Sequence, residues 1–123
     1  MASTVGIKFY HTAVLIVYIK FKPKANMLIV YLKRINDFAK NHANSRKSLA
    51  AWKMIVETTS WKTKQNVLAD FPKAKMIGNN RARFEIGHNT YRLIAHIYYE
   101  DQIVEIRFIG THNEYDRIDP VTI

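Results

Sequence analysis

The chain has no cysteine, only four glycines among 123 residues, and ten acidic side chains against nineteen basic ones. Without cysteine there is no disulfide, no thiolate nucleophile and no cysteine-ligated zinc, a composition that fits a reducing cytoplasm. The few glycines form neither a Gly-x-Ser-x-Gly elbow nor a glycine-rich phosphate loop, so the usual signs of a serine hydrolase or a P-loop enzyme are missing. The apolar run Ala13–Ile19 is seven residues long, far short of the roughly 20 that cross a bilayer. It also makes a poor signal peptide. No small-residue cleavage site follows it, and Lys20-Phe21-Lys22-Pro23-Lys24 comes directly after. No membrane partner is expected. Internal repeats, low-complexity tracts and linkers are absent as well.

What is present is a globular composition, 48% hydrophobic and 24% charged, in a chain long enough to bury one core. The net charge of +9 is its most informative property. Such an excess costs self-repulsion and draws polyanions, which favours RNA, DNA or an acidic protein as partner over an inert basic surface. Residues 1–26 hold four lysines and no acid, and so supply +4 of that charge. They read either as an added edge strand or as an extension from an upstream start, with the domain proper spanning 27–123.

Leu28–Tyr31 has the composition of a short strand. Leu32, Ile35, Phe38, Ala39 and His42 recur at spacings of three and four, one face of a helix. Ser45 is placed to cap a second helix whose apolar face is Leu49, Trp52, Ile55 and Val56, giving a helical hairpin. Thr63 caps a short third helix ending at Asp70, with Val67 and Leu68 inward and Pro72 as the stop. Lys73–Asn80 reads as a loop. The stretch from Asn80 to Asp116 then carries three strand patterns, Arg81–Ile86, Tyr91–Tyr99 and Ile103–Ile109, with turns at Gly87-His88-Asn89 and Glu100-Asp101-Gln102. Such short connections predict an antiparallel meander over 81–109. The expected fold class is α+β, with two N-terminal helices and a short third packed on a small antiparallel sheet.

Alternation puts Arg81, Arg83 and Glu85 on one face of the first meander strand. It puts Thr90, Arg92, Ile94, His96 and Tyr98 on one face of the second. Arg92 in a mid-sheet strand either snorkels or pairs with Glu85 or Glu105, or stands as a fixed cation for phosphate, whose oxygens match the guanidinium fork. His96 reads as a hydrogen-bonded core histidine. His112, in Thr-His-Asn-Glu-Tyr-Asp after the third strand, can take or give a proton at neutral pH. Glu114 and Asp116 lie close by, but no further ligand stands at a metal-site spacing, so no metal and no cofactor is expected. Lys33, Arg34, Lys40, Arg46, Lys47 and Lys53 make up the polar faces of the first two helices.

The run Arg83-Phe-Glu-Ile-Gly-His-Asn89-Thr-Tyr-Arg-Leu-Ile94, followed by Ile109-Gly-Thr-His-Asn-Glu-Tyr-Asp116, resembles the HigB-type toxins of bacterial toxin–antitoxin pairs, within the wider RelE-like group of messenger-RNA endonucleases. Ala51-Trp52, Trp61 and Asp70-Phe71-Pro72 are also similar to that family. The resemblance spans about Met27 to Asp119. Family members begin near the position of Met27, which favours the upstream-start reading of residues 1–26.

The resemblance implies a compact RelE-like fold and a cytoplasmic, metal-independent endoribonuclease that cuts ribosome-bound mRNA and so inhibits translation. It implies a cognate HigA-like helix-turn-helix antitoxin, with promoter DNA bound only through the toxin–antitoxin complex. By position, Arg92 matches the strand arginine facing the scissile phosphate and Arg83 the basic residue on the preceding strand. His112 falls at the catalytic position after the last strand, and Tyr115 is the motif's tyrosine, to stack on or orient the opened nucleotide. Lys47, Lys53, Lys73, Lys75 and Arg81 are the expected RNA-backbone contacts. Two departures stand out: Gly87-His88-Asn89 replaces a commoner Gly-Gly-Asn turn, and Glu85 stands where RelE has a lysine, which weakens the cationic pocket. The same basic surface also fits a non-catalytic nucleic-acid-binding module, or a RelE-fold toxin aimed at another target such as a gyrase.

Overall fold

The computed structural model describes residues 26–123, so the readings made of residues 1–26 lie outside the described residues except for Asn26. Met27 is already core: it is 2% exposed, its N–H bonds the Thr59 carbonyl, and its sulfur accepts from the Trp61 N–H. The elements in order are β1 (Leu28–Val30), α1 (Leu32–Asn41), a 3-10 turn (Ala43–Ser45), α2 (Arg46–Glu57), α3 (Lys64–Asp70), β2 (Lys75–Ile77), β3 (Arg81–Ile86), β4 (Tyr91–Tyr98), β5 (Ile103–Thr111) and α4 (His112–Tyr115). The fold is α+β, as expected.

The sheet differs from the expected meander at both edges. It has five strands in the order β1-β5-β4-β3-β2. The antiparallel meander β3-β4-β5 forms its centre, but β1 lies parallel to β5, with Leu28 opposite Ile103, so the sheet is mixed. The 73–80 stretch, read as a loop, contains β2, which pairs with β3 through Lys75–Arg83 and Ile77–Arg81. A three-residue strand carries too short a periodicity to announce itself; β3 supplies the template. The third meander strand runs two residues further than its pattern, to Thr111, and α4 follows at once. Across Ile94 and Ala95 the β4–β5 register steps from Phe108 to Ile106, which leaves Arg107 as the extra residue of a bulge.

One sheet face carries the helices. Ile35 of α1, Leu49, Trp52 and Val56 of α2, and Val67 of α3 pack with Phe84, Ile86, Leu93, Ala95, Ile97, Val104 and Ile106. Phe84 is the hub: Trp52 meets it edge-on at 5.4 Å, Phe71 edge-on at 5.0 Å, and Trp61 stacks on it at 6.3 Å. Rings of this size remove roughly 150–250 Å² each from water, on the order of 4–6 kcal/mol at ~25 cal/mol/Å². Asp70 accepts from the Trp61 indole N–H at 2.8 Å, which accounts for the Trp61 and Asp70-Phe71-Pro72 pieces of the motif.

Three local readings need correction. Ser45 does not cap α2; it is fully buried in the 3-10 turn, where its hydroxyl donates to the His42 carbonyl at 2.6 Å. Leu68 is exposed rather than inward, because α3 turns only Val67 into the core. His96 has no hydrogen-bond partner among the described residues; it is half-buried and stacked on Tyr98 at 4.3 Å. Thr63 is the cap it was read to be, closing a capping box with Asn66.

Candidate active site

The second sheet face, away from the helices, bears Arg81, Arg83 and Glu85 from β3 and Arg92, Ile94, His96 and Tyr98 from β4. Its two halves have different fates. At one end the C-terminal segment folds back over it. Arg81 is 5% exposed and donates to the Pro120 and Ile123 carbonyls, and the bulge residue Arg107 donates to Ile123 at 3.0 Å while pairing with the buried Glu105 at 3.2 Å. Desolvation, and Arg107 beside it, lower the Arg81 pKa. The expected role of Arg81 in RNA contact is corrected accordingly: the side chain is buried, its Nη1 is held by backbone carbonyls inside the protein, and its Nε has no partner among the described residues. His96 shares this end, and its pKa is pushed down to about 4 by burial and by Arg81 and Arg107.

At the other end the face stays open, and Arg83, Arg92, Tyr115 and His112 gather there. β3 and β4 pair so that Glu85 lies opposite Arg92 and Arg83 opposite Ile94. The capping box of α4 turns the chain across the strand ends: Thr111 N–H donates to Glu114 Oε1 at 2.8 Å and Glu114 N–H to Thr111 Oγ1 at 3.2 Å. Those bonds hold the Glu114 pKa below its usual value. The short helix lays the Tyr115 ring beside both guanidinium groups, 5.2 Å from Arg92 and 5.9 Å from Arg83, with Phe108 at 6.2 Å.

Asn89 ties the group together. Arg92 Nε donates to Asn89 Oδ1 at 2.9 Å, and His112 Nε2 donates to the Asn89 carbonyl. Arg92 therefore pairs with neither Glu85 nor Glu105. Nor does Glu85 form an ion pair with any described residue. The Arg83 Nε is buried without a partner among the described residues. With Nε2–H given to a carbonyl, the His112 nitrogen left for chemistry is Nδ1.

The turn that carries Asn89 is itself anchored. Gly87, His88 and Asn89 take positive φ of 61°, 54° and 68°. Gly87 N–H donates to Ser48 Oγ at 2.9 Å, Thr90 Oγ1 to the Gly87 carbonyl at 2.6 Å, and Tyr91 hydroxyl to Asn44 Oδ1. Helix α2 thus fixes the turn, and the turn fixes the arginine and the histidine. Sequence reasoning read Asn89 only as turn chemistry. Its spacing three residues before Arg92 was the available signal, since an Asn side chain in a turn reaches backbone and side chains a few residues on.

The remaining expected cations are scattered. Lys47 and Lys73 are exposed and line a groove of ≈ 690 Å³ that also touches Ser48, Phe71, Glu85 and Asn89. Lys75 is exposed on β2, and Lys53 is paired to Glu57 at 3.3 Å along α2. Among the described residues no three His, Asp or Glu side chains converge as metal ligands, and no helix is long and apolar enough to cross a membrane.

Comparison with known proteins agrees with this picture. The model of the HigB toxin family, described as the RelE-like toxic component of a toxin–antitoxin system, matches residues 45–118. That span runs from the 3-10 turn before α2 through α4 and holds every member of the cluster. A comparison with curated proteins returned no match.

Proposed function

The chain belongs to the HigB family of RelE-like toxins, the toxic component of a toxin–antitoxin system, and on that premise we propose that it is a metal-independent endoribonuclease acting in the cytoplasm on mRNA held by the ribosome. An antitoxin is the partner such a toxin implies; a HigA-like helix-turn-helix chain that carries the pair to promoter DNA is the finer reading.

The observation that carries the proposal is the convergence of one imidazole and two guanidinium groups at one open end of the sheet, His112 and Arg92 joined through Asn89 and Arg92 and Arg83 through the Tyr115 ring. RNA is cut without metal when its 2′-hydroxyl attacks the adjacent phosphate and the 5′-oxygen leaves. That reaction needs a base to take the 2′-hydroxyl proton, an acid to protonate the leaving 5′-oxygen, and cations on the developing charge. His112 Nδ1 serves as the acid or the base, worth roughly 10²–10⁴ in rate, with water completing the other proton transfer. Arg92 and Arg83 supply the cations, each on the order of several kcal/mol. Tyr115 keeps the two guanidinium groups in place from one side and offers its ring to an unstacked base. The +9 charge draws RNA and makes its binding fall steeply with salt.

The test is controlled expression with mapping of mRNA 5′ ends, comparing the wild type with His112→Ala and Arg92→Ala. New ends confined to the wild type support the proposal. Growth arrest with unchanged mRNA ends, or two soluble variants that remain fully toxic, rejects it. DNA-damage signalling in place of cut messages would point to the gyrase-type reading.

A further inference from the structure

Glu85 places a carboxylate at the open end of the sheet face, beside the arginines that are to grip phosphate. It lies opposite Arg92 in register, is partly buried, and forms no ion pair with any described residue. It also borders the ≈ 690 Å³ groove between the start of α2, the 70–74 segment and the β3–β4 turn. A space of that volume takes a mononucleotide-sized ligand.

The groove exists because β2 is short. Ile97 N–H bonds the Asn80 carbonyl, and backbone groups alternate sides along a strand, so those of Arg81, Arg83 and Glu85 face β2. Ile77 and Lys75 meet the first two. Glu85 lies beyond the end of β2, and no backbone bond joins it to the 71–74 segment. Its N–H and C=O therefore line an open strand edge. Lys47 and Lys73 stand exposed on the groove's walls, Phe71 offers an aromatic surface, and the Gly87–Asn89 turn is shared with the arginine–histidine cluster. A strand of RNA with its phosphate at Arg92 reaches this groove across Asn89, which binds the arginine and lines the groove.

From this arrangement, and resting on the endonuclease reading above, we infer that the groove holds the base adjacent to the scissile phosphate and that Glu85 selects guanine. Guanine alone presents two neighbouring donors, N1–H and N2–H, on its Watson–Crick edge, which a carboxylate accepts together. Adenine and cytosine each place an acceptor nitrogen beside their amino group, and uracil flanks its single N–H with two carbonyls, so each sets a lone pair against the carboxylate. The outward Glu85 N–H is a donor for guanine O6. Lys47 and Lys73 take the flanking phosphates, with no preference among bases.

The test is binding of the four nucleoside 3′-monophosphates to the purified full chain, followed by titration calorimetry, alongside mapping of cut sites. Guanosine 3′-monophosphate is expected to bind roughly ten- to a hundredfold more tightly than the other three. Glu85→Gln should remove that preference, while Lys73→Ala weakens all four alike. Equal binding of the four by the wild type, or a guanine preference that survives Glu85→Gln, overturns the inference. Equal binding together with cleavage at cuts showing no adjacent guanine leaves the endonuclease reading standing and removes only the base selection. Guanine-selective binding in a protein that cuts no RNA does the reverse. Indifference to all four nucleotides, with a partner peptide seating on the Glu85 edge, assigns the groove to protein and overturns the inference.

Discussion

Arg92 and His112 meet at Asn89, the arginine at its side-chain oxygen and the histidine at its backbone carbonyl. The two residues proposed for phosphate binding and proton transfer are thus positioned by a third that takes no part in the chemistry. Asn89 has a φ of 68°, a conformation that glycine shares freely and most other residues resist. Asn89→Gly is expected to keep the turn and the melting temperature but to release Arg92, lowering RNA cleavage by roughly 10²-fold, as a misplacement near 1 Å does elsewhere. Cleavage assays beside thermal melts check this. Undiminished cleavage by a folded Asn89→Gly protein would remove Asn89 from the positioning scheme.

Gly110 makes a second, purely steric test. It faces Arg92 across β4 and β5, and a Cβ there would stand 2.6 Å from the Phe108 ring and 2.9 Å from Glu114 Oε1. Gly110→Ala must push Phe108 off its place or break the capping box that starts α4. Because α4 carries both His112 and Tyr115, activity should drop about tenfold or more, and Glu114 should lose the bond that lowers its pKa. The carboxyl titration of Glu114 by NMR reads the second effect directly.

The pH dependence of stability should carry the mark of His96. Burial, Arg81 and Arg107 lower its pKa to about 4 in the folded protein, whereas an unfolded histidine titrates near 6.5. Between those values the unfolded chain binds the extra proton, so the contribution of this group is complete above about pH 6.5 and is lost as the pH falls toward 4. Asp101, raised by burial and by Glu100, acts in the opposite sense. Melting temperatures measured across this window should fall with acid in the wild type and fall less in His96→Phe, which retains a ring to stack on Tyr98. Parallel curves for the two proteins would refute the assignment.

Gln102 is the polar residue on which the β4–β5 turn depends. Its amide nitrogen donates to the Trp61 and Tyr99 carbonyls at 2.8 Å each, and its side-chain oxygen accepts from Ser60 Oγ at 2.7 Å. Gln102→Met fills the space but strands those partners. The expected cost is about 2–4 kcal/mol, read as a lower urea midpoint at unchanged slope.

Much of this was legible before any coordinates. The alternation of Arg81, Arg83 and Glu85, and of Arg92 with Ile94 and His96, states which side chains share a face, because a strand's period of two is a local property. The Thr63 cap, the helix over 32–41 and the two meander turns are local in the same sense. The +9 charge, and with it the preference for a polyanion, is a matter of counting. What neighbouring residues could not announce was the use to which each member of a face is put. Arg81 and Arg83 are two positions apart on one strand, yet the C-terminal segment buries the first while the second remains at the open end. The parallel seat of β1 on β5, the existence of β2 and the meeting of His112 with Asn89 join segments far apart in the chain. Pattern and charge were written residue by residue. Pairing, burial and the convergence on Asn89 arose only when distant segments closed on one another, because a hydrogen bond or a buried contact belongs to two places in the chain at once.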